Sequence, residues 1–158
     1  MKGVASMPRE ERSIVINRPV DEVFAYVVDP RNNTMWNSWI VECHVTSDGP
    51  VGVGTTCRSV GKFLGKTVEA DAVITECVPN ERGSIRTTSG PITLTGSRIV
   101  EPANGGTRFT QTLEIDFKGL FGRLAEPLVT RAGIRQLEAD LETLKDLLES
   151  GQAADATG

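Results

Sequence analysis

The chain has 158 residues, of which 39% are hydrophobic and 24% charged, and its net charge is -4. That length and balance suit one globular domain with a single core and exclude a disordered or fibrous chain. Acidic charge without a basic patch gives no long-range attraction for phosphate, so nucleic acid is not an expected partner.

No apolar run approaches a bilayer span, and residues 1–8 lack a signal-peptide core, so no stable membrane insertion and a cytoplasmic location are expected. Cys43, Cys57 and Cys77 are odd in number, widely spaced and without a His cluster. They read as buried thiols rather than as a disulfide framework or a zinc site, and no metal or cofactor is expected.

Residues 1–12 and 150–158 are polar or small and read as flexible ends around one domain, 13–149. Ser13-Ile14-Val15-Ile16-Asn17 suits a strand, with Ile14 and Ile16 on one face. Pro19, Asp21 and Glu22 suit a helix start, and Asp29-Pro30 a stop, which predicts a helix over Val20 to Val28. Arg31 to Trp36 reads as a turn or second short helix. Val41, Cys43 and Val45 then alternate with Glu42, His44 and Thr46, as in a half-buried strand.

Five further strand-like runs follow: Thr55 to Val60, Thr67 to Val78, Ser84 to Ser89, Ile92 to Glu101 and Thr107 to Lys118. The connections are short and rich in Gly, Pro or Asn, which predicts an antiparallel meander. Leu137, Leu141, Leu144 and Leu148 recur at helical spacing, with Glu138, Asp140, Glu142, Lys145 and Asp146 assigned to the other faces. Phe121, Leu124 and Leu128 extend the apolar stripe backward, with a kink or restart expected at Pro127.

This order of elements resembles the START-like superfamily, in its polyketide cyclase/dehydrase and coenzyme Q-binding branch. The resemblance rests on Ile16-Asn17-Arg18-Pro19-Val20-Asp21-Glu22-Val23-Phe24, on Asp29-Pro30 followed by Trp36, and on Val51-Gly52-Val53-Gly54-Thr55. It continues with Glu101-Pro102 before Gly105-Gly106-Thr107-Arg108 and with Gly119-Leu120-Phe121-Gly122. It implies an α+β helix-grip fold: a seven-stranded curved antiparallel sheet around a long C-terminal helix, with two short helices after the first strand. A tunnel would lie between the concave face and the long helix.

Strand parity then nominates the side chains that face the tunnel. Phe109, Gln111 and Leu113 share one face of the last strand, and Leu94, Arg98 and Val100 one face of the strand before it. Trp39, Leu124 and Leu128 are the remaining expected lining residues. Arg98 suits a carboxylate, phenolate or carbonyl oxygen, or else pairs with an acid such as Glu76. Gln111 either orients a ligand or satisfies backbone groups.

His44, the only histidine, points away from the apolar side of its strand, Trp36 reads as core, and Glu69 and Asp71 read as a solvated face. Val51-Gly52-Val53-Gly54 is not followed by a helix and reads as a turn rather than a phosphate cradle. No catalytic residue stands out. The expected function is to bind a small hydrophobic molecule, a lipid, isoprenoid or aromatic metabolite; the alternative is a polyketide cyclase or dehydratase acting on a poly-carbonyl chain. A protein partner or homodimer remains open on the sheet edge.

Overall fold

The computed structural model describes residues 9–151. The expected ends at 1–8 and 152–158 lie outside the described residues. The elements are β1 (Arg9–Ile16), α1 (Val20–Val28), a 3-10 turn at Pro30–Asn32, α2 (Asn33–Trp36), β2 (Ile40–Val45) and β3 (Thr56–Phe63). They continue with β4 (Lys66–Val78), β5 (Arg82–Ser89), β6 (Thr93–Ala103), β7 (Gly106–Asp116), a 3-10 turn at Arg123–Ala125 and α3 (Glu126–Ser150). The seven strands form one antiparallel sheet in the order β1-β7-β6-β5-β4-β3-β2. This is the helix-grip fold.

The hairpins are tighter than their composition suggests. Leu64 and Gly65 turn β3 into β4, and Asn104 and Gly105 turn β6 into β7, each pair at positive φ, as two-residue turns matched to strand twist require. Gly106 starts β7 because a Cβ there would collide with the Ile16 carbonyl of the neighbouring β1. Residues 9–12, expected to be unstructured, belong to β1, where Arg9 through Arg12 pair with Glu114 through Gln111.

Leu137, Leu141, Leu144 and Leu148 of α3 join Ile16, Phe109, Val23, Val27 and Trp36 in the core. Phe109 and Ile16 are fully buried, and Trp36 meets Phe109 edge-on with centroids 6.0 Å apart. Of the kink or restart expected at Pro127, the structure has the restart: α3 begins there, after the 3-10 turn, and is not kinked midway. Pro127 sits in the first turn, where its missing N–H leaves no bond unmade.

Two local expectations fail. In β2 a bulge between Ile40 and Glu42 breaks the alternation, so Val41 is 45% exposed while Ile40 turns inward. Leu124 and Leu128, expected to line the tunnel, are 99% and 68% exposed. Leu124 lies in the 3-10 turn before α3 rather than in a continuous helical stripe, and Leu128, beside the buried Val129, faces outward.

Candidate functional site

A cavity of about 130 Å³ opens between the concave face of the sheet and the α1–β2 region. Its helical wall is Phe24, Val27 and Val28 of α1, joined by Asn33, Asn37 and Trp39. The long helix does not touch this cavity; the expected space against it is confined to a smaller, adjoining one. The leucines of its C-terminal half press directly on the core, leaving no room there.

The floor is cut by short side chains. Gly61, Ala70, Ala72, Gly83 and Gly96 stand where longer residues would fill the space. A Cβ on Gly96 would sit 3.0 Å from Leu113 Cδ2, so Leu113 leans over its register partner. A second, smaller cavity adjoins the first through Trp39, Gln111 and Leu113 and reaches Gln136, Leu137 and Asp140 of α3. At its outer end Phe63 stacks on Phe117 with centroids 5.8 Å apart, and Phe121 meets both edge-on.

Arg98, Gln111, Leu94, Leu113 and Trp39 all lie on the wall of the main cavity. Val100 and Phe109 do not. They are cross-strand partners near the end of β6 and β7 covered by α1 and α3, and they belong to the core, which corrects their expected place on the tunnel wall. Trp36 is core, as expected, and exposed His44 lies beside Glu42 at 3.4 Å. Glu69 and Asp71 are tied to Arg58 on an exposed face.

Arg98 is not paired with Glu76, whose carboxylate takes hydrogen bonds from Arg82 (2.8 Å) and Ser84 (3.1 Å). Instead Arg98 Nη1 donates to Val27 O and to Asn33 Oδ1, both at 2.8 Å, and its guanidinium lies 4.6 Å from the Trp36 ring centroid. Burial works against its charge and draws its pKa down to about 10, so it is still cationic at neutral pH. Beside it in the register, Gln111 is 3% exposed and its Oε1 has no partner among the described residues.

Asp140, expected on a polar face of α3, lies on its buried one. It is 4% exposed and lines the second cavity. Its Oδ1 accepts from Ser38 N (3.1 Å), Ser38 Oγ (2.6 Å) and Gln136 Nε2 (3.4 Å), while Oδ2 makes no hydrogen bond among the described residues. The signal was its spacing: three residues after Leu137 and four before Leu144, Asp140 falls on the buried stripe. Cys57 is buried, as expected, and lines the cavity, but Cys43 and Cys77 are only half-buried, with Ser59 Oγ donating to Cys43 Sγ at 3.4 Å.

Burial raises the Asp140 pKa, with the Ser38 hydrogen bonds and the Arg98 charge acting against it. The folded protein therefore keeps this proton to higher pH than the unfolded chain, and the ionised carboxylate weighs against folding above that pH. Asp140→Asn retains an oxygen for Ser38 and carries no charge. Its stability relative to the parent should be constant at low pH and should climb as pH rises through the folded-state pKa of Asp140. Thermal unfolding from acid to neutral pH measures this, and parallel curves for the two proteins would contradict it.

Fold and cavity together define a helix-grip protein with an internal site. Residues 7–149 match the family described as polyketide cyclase/dehydrase and lipid transport, and the chain belongs to that family. No curated protein matches the sequence. Among solved structures, TTHA0849 from Thermus thermophilus is similar at 21% identity and TM-score 0.79, covering 91% of this chain and 99% of that one. A START superfamily protein from Mycobacterium smegmatis shares 15% identity, with 90% and 97% coverage and TM-score 0.75. The Zhui aromatase/cyclase from Streptomyces sp. R1128 shares 13%, with 90% and 96% coverage and TM-score 0.69. At these identities the likeness is one of fold. No helix is long and apolar enough to cross a membrane, and no cluster of metal-ligating side chains occurs among the described residues.

Proposed function

We propose that the chain binds a small, largely apolar molecule in the main cavity, with Arg98 and Gln111 orienting it and Trp39, Leu94 and Leu113 supplying contact surface. The observation that carries this reading is the floor of short side chains facing α1, which holds open apolar space that a purely structural core would close. At about 130 Å³ the space approaches the roughly 150 Å³ cavity that admits benzene in an engineered core, so a ring or short isoprenoid segment is the expected scale.

Desolvation of the guest drives binding, and the few polar groups fix its direction. The family description, which names both cyclisation and lipid transport, supports a guest of this kind. Native mass spectrometry of gently purified protein is expected to show a bound species that organic extraction removes. An adduct-free spectrum, together with no thermal shift on adding naphthalene, would overturn the reading.

A second reading has one specific observation in its favour. Asp140 presents a free carboxylate oxygen to the adjoining cavity, and Arg98 is near enough to bias its ionisation. A proton acceptor within the field of a fixed cation is what enolisation of a poly-carbonyl substrate requires, as in a cyclase or dehydratase.

A further inference from the structure

We infer that the molecule held in the main cavity carries a hydroxyl group, read on its oxygen by Arg98 and on its hydrogen by Gln111; this rests on the binding reading above. Two buried amide oxygens on the cavity wall, Gln111 Oε1 and Asn37 Oδ1, have no partner among the described residues, and their residues are only 3% and 7% exposed. A buried acceptor left without a donor has surrendered its water and received nothing in exchange, so sites of this kind are ordinarily completed by a bound group. Both oxygens can only accept, so the missing partner must be a donor.

The cation beside Gln111 narrows the choice. Arg98 and Gln111 are cross-strand partners on adjacent β6 and β7 and face the same space. Both hydrogen bonds that Arg98 makes come from Nη1, which leaves Nε–H and Nη2–H without an acceptor among the described residues. A hydroxyl answers both residues at once: its oxygen accepts from the guanidinium and its hydrogen goes to Gln111 Oε1.

A ketone, ether or carboxylate answers Arg98 alone and sets its lone pairs against the Gln111 oxygen. Leu94, Leu113 and Trp39 make the surroundings apolar, so the hydroxyl belongs on a hydrophobic frame: a phenol or a ring-bearing alcohol. Asn37 offers the same complement to a second hydroxyl.

Fluorescence titration with naphthalene, 2-naphthol and 2-methoxynaphthalene tests the assignment on the full chain. The wild type should bind 2-naphthol about tenfold more tightly than either of the others. Gln111→Met, which keeps length and volume but removes the acceptor, should reduce that advantage to less than about threefold while still binding naphthalene.

Equal wild-type affinities for 2-naphthol and naphthalene would overturn the hydroxyl assignment and leave the binding reading standing. A preference for 2-methoxynaphthalene would overturn it too, since it would mean that the amide presents N–H instead of oxygen. Failure of all three probes would overturn both readings. The wild-type comparison decides the matter even if Gln111→Met does not fold.

Discussion

Replacing Arg98 with leucine is expected to lower stability by about 2–4 kcal/mol. The substitution leaves Val27 O and Asn33 Oδ1 without their 2.8 Å donor and strips the cation from the Trp36 ring. An orphaned acceptor costs about 1–3 kcal/mol and the lost stacking about 0.5–2 kcal/mol. Against this, leucine carries no cost for desolvating a charge, which is why the two losses do not add in full.

Arg98→Lys should fall between the two, because an ammonium keeps the charge but lacks the planar fork that bonds and stacks together. Urea unfolding measures the effect as a lower midpoint at unchanged slope. An unmoved midpoint would show that Arg98 does not tie α1 and α2 to the sheet.

Phe109→Ala is the largest purely structural loss expected, about 3–5 kcal/mol. Phe109 is fully buried, meets Trp36 edge-on and shares a cluster with Leu141 and Leu144 of α3, so its truncation opens a void among groups fixed by three elements. Collapse around it is blocked by the pairing of β7 with both β1 and β6. Unfolding by urea and by heat should agree on the loss, and a change under about 1.5 kcal/mol, the range of a tolerated core swap, would mean that the site relaxes freely.

How far the site could be read beforehand depended on the regularity of each strand. β7 pairs with β1 and β6 without a register shift, so parity placed Gln111 and Leu113 on the correct face. β2 carries a bulge, and one inserted residue turned Val41 outward. Parity names a face but not what covers it. Val100 and Phe109 share that face with Arg98 and Leu113, yet are packed into the core under α1 and α3, whereas Leu94 and Leu113 border open space.

Asp140 was misplaced for a different reason. Its charge marks it for a solvated face, although its position lies on the leucine stripe, and the donors that make its burial tolerable come from Ser38 in the distant α2–β2 segment and from Gln136. Leu124 and Leu128 differ the opposite way: the apolar stripe runs on across Pro127, but the restart expected there turns both residues away from the core.

The floor of glycine and alanine beneath α1 has a consequence for how this chain can change. The outline of the cavity is set by missing side-chain atoms on strands whose hydrogen-bond ladder is indifferent to them, so the mould and the scaffold are encoded separately. A single added methyl at Ala70 or Ala72 reshapes the mould while the ladder beneath it stays as it is, so the shape of the cavity can change by small steps without disturbing the sheet.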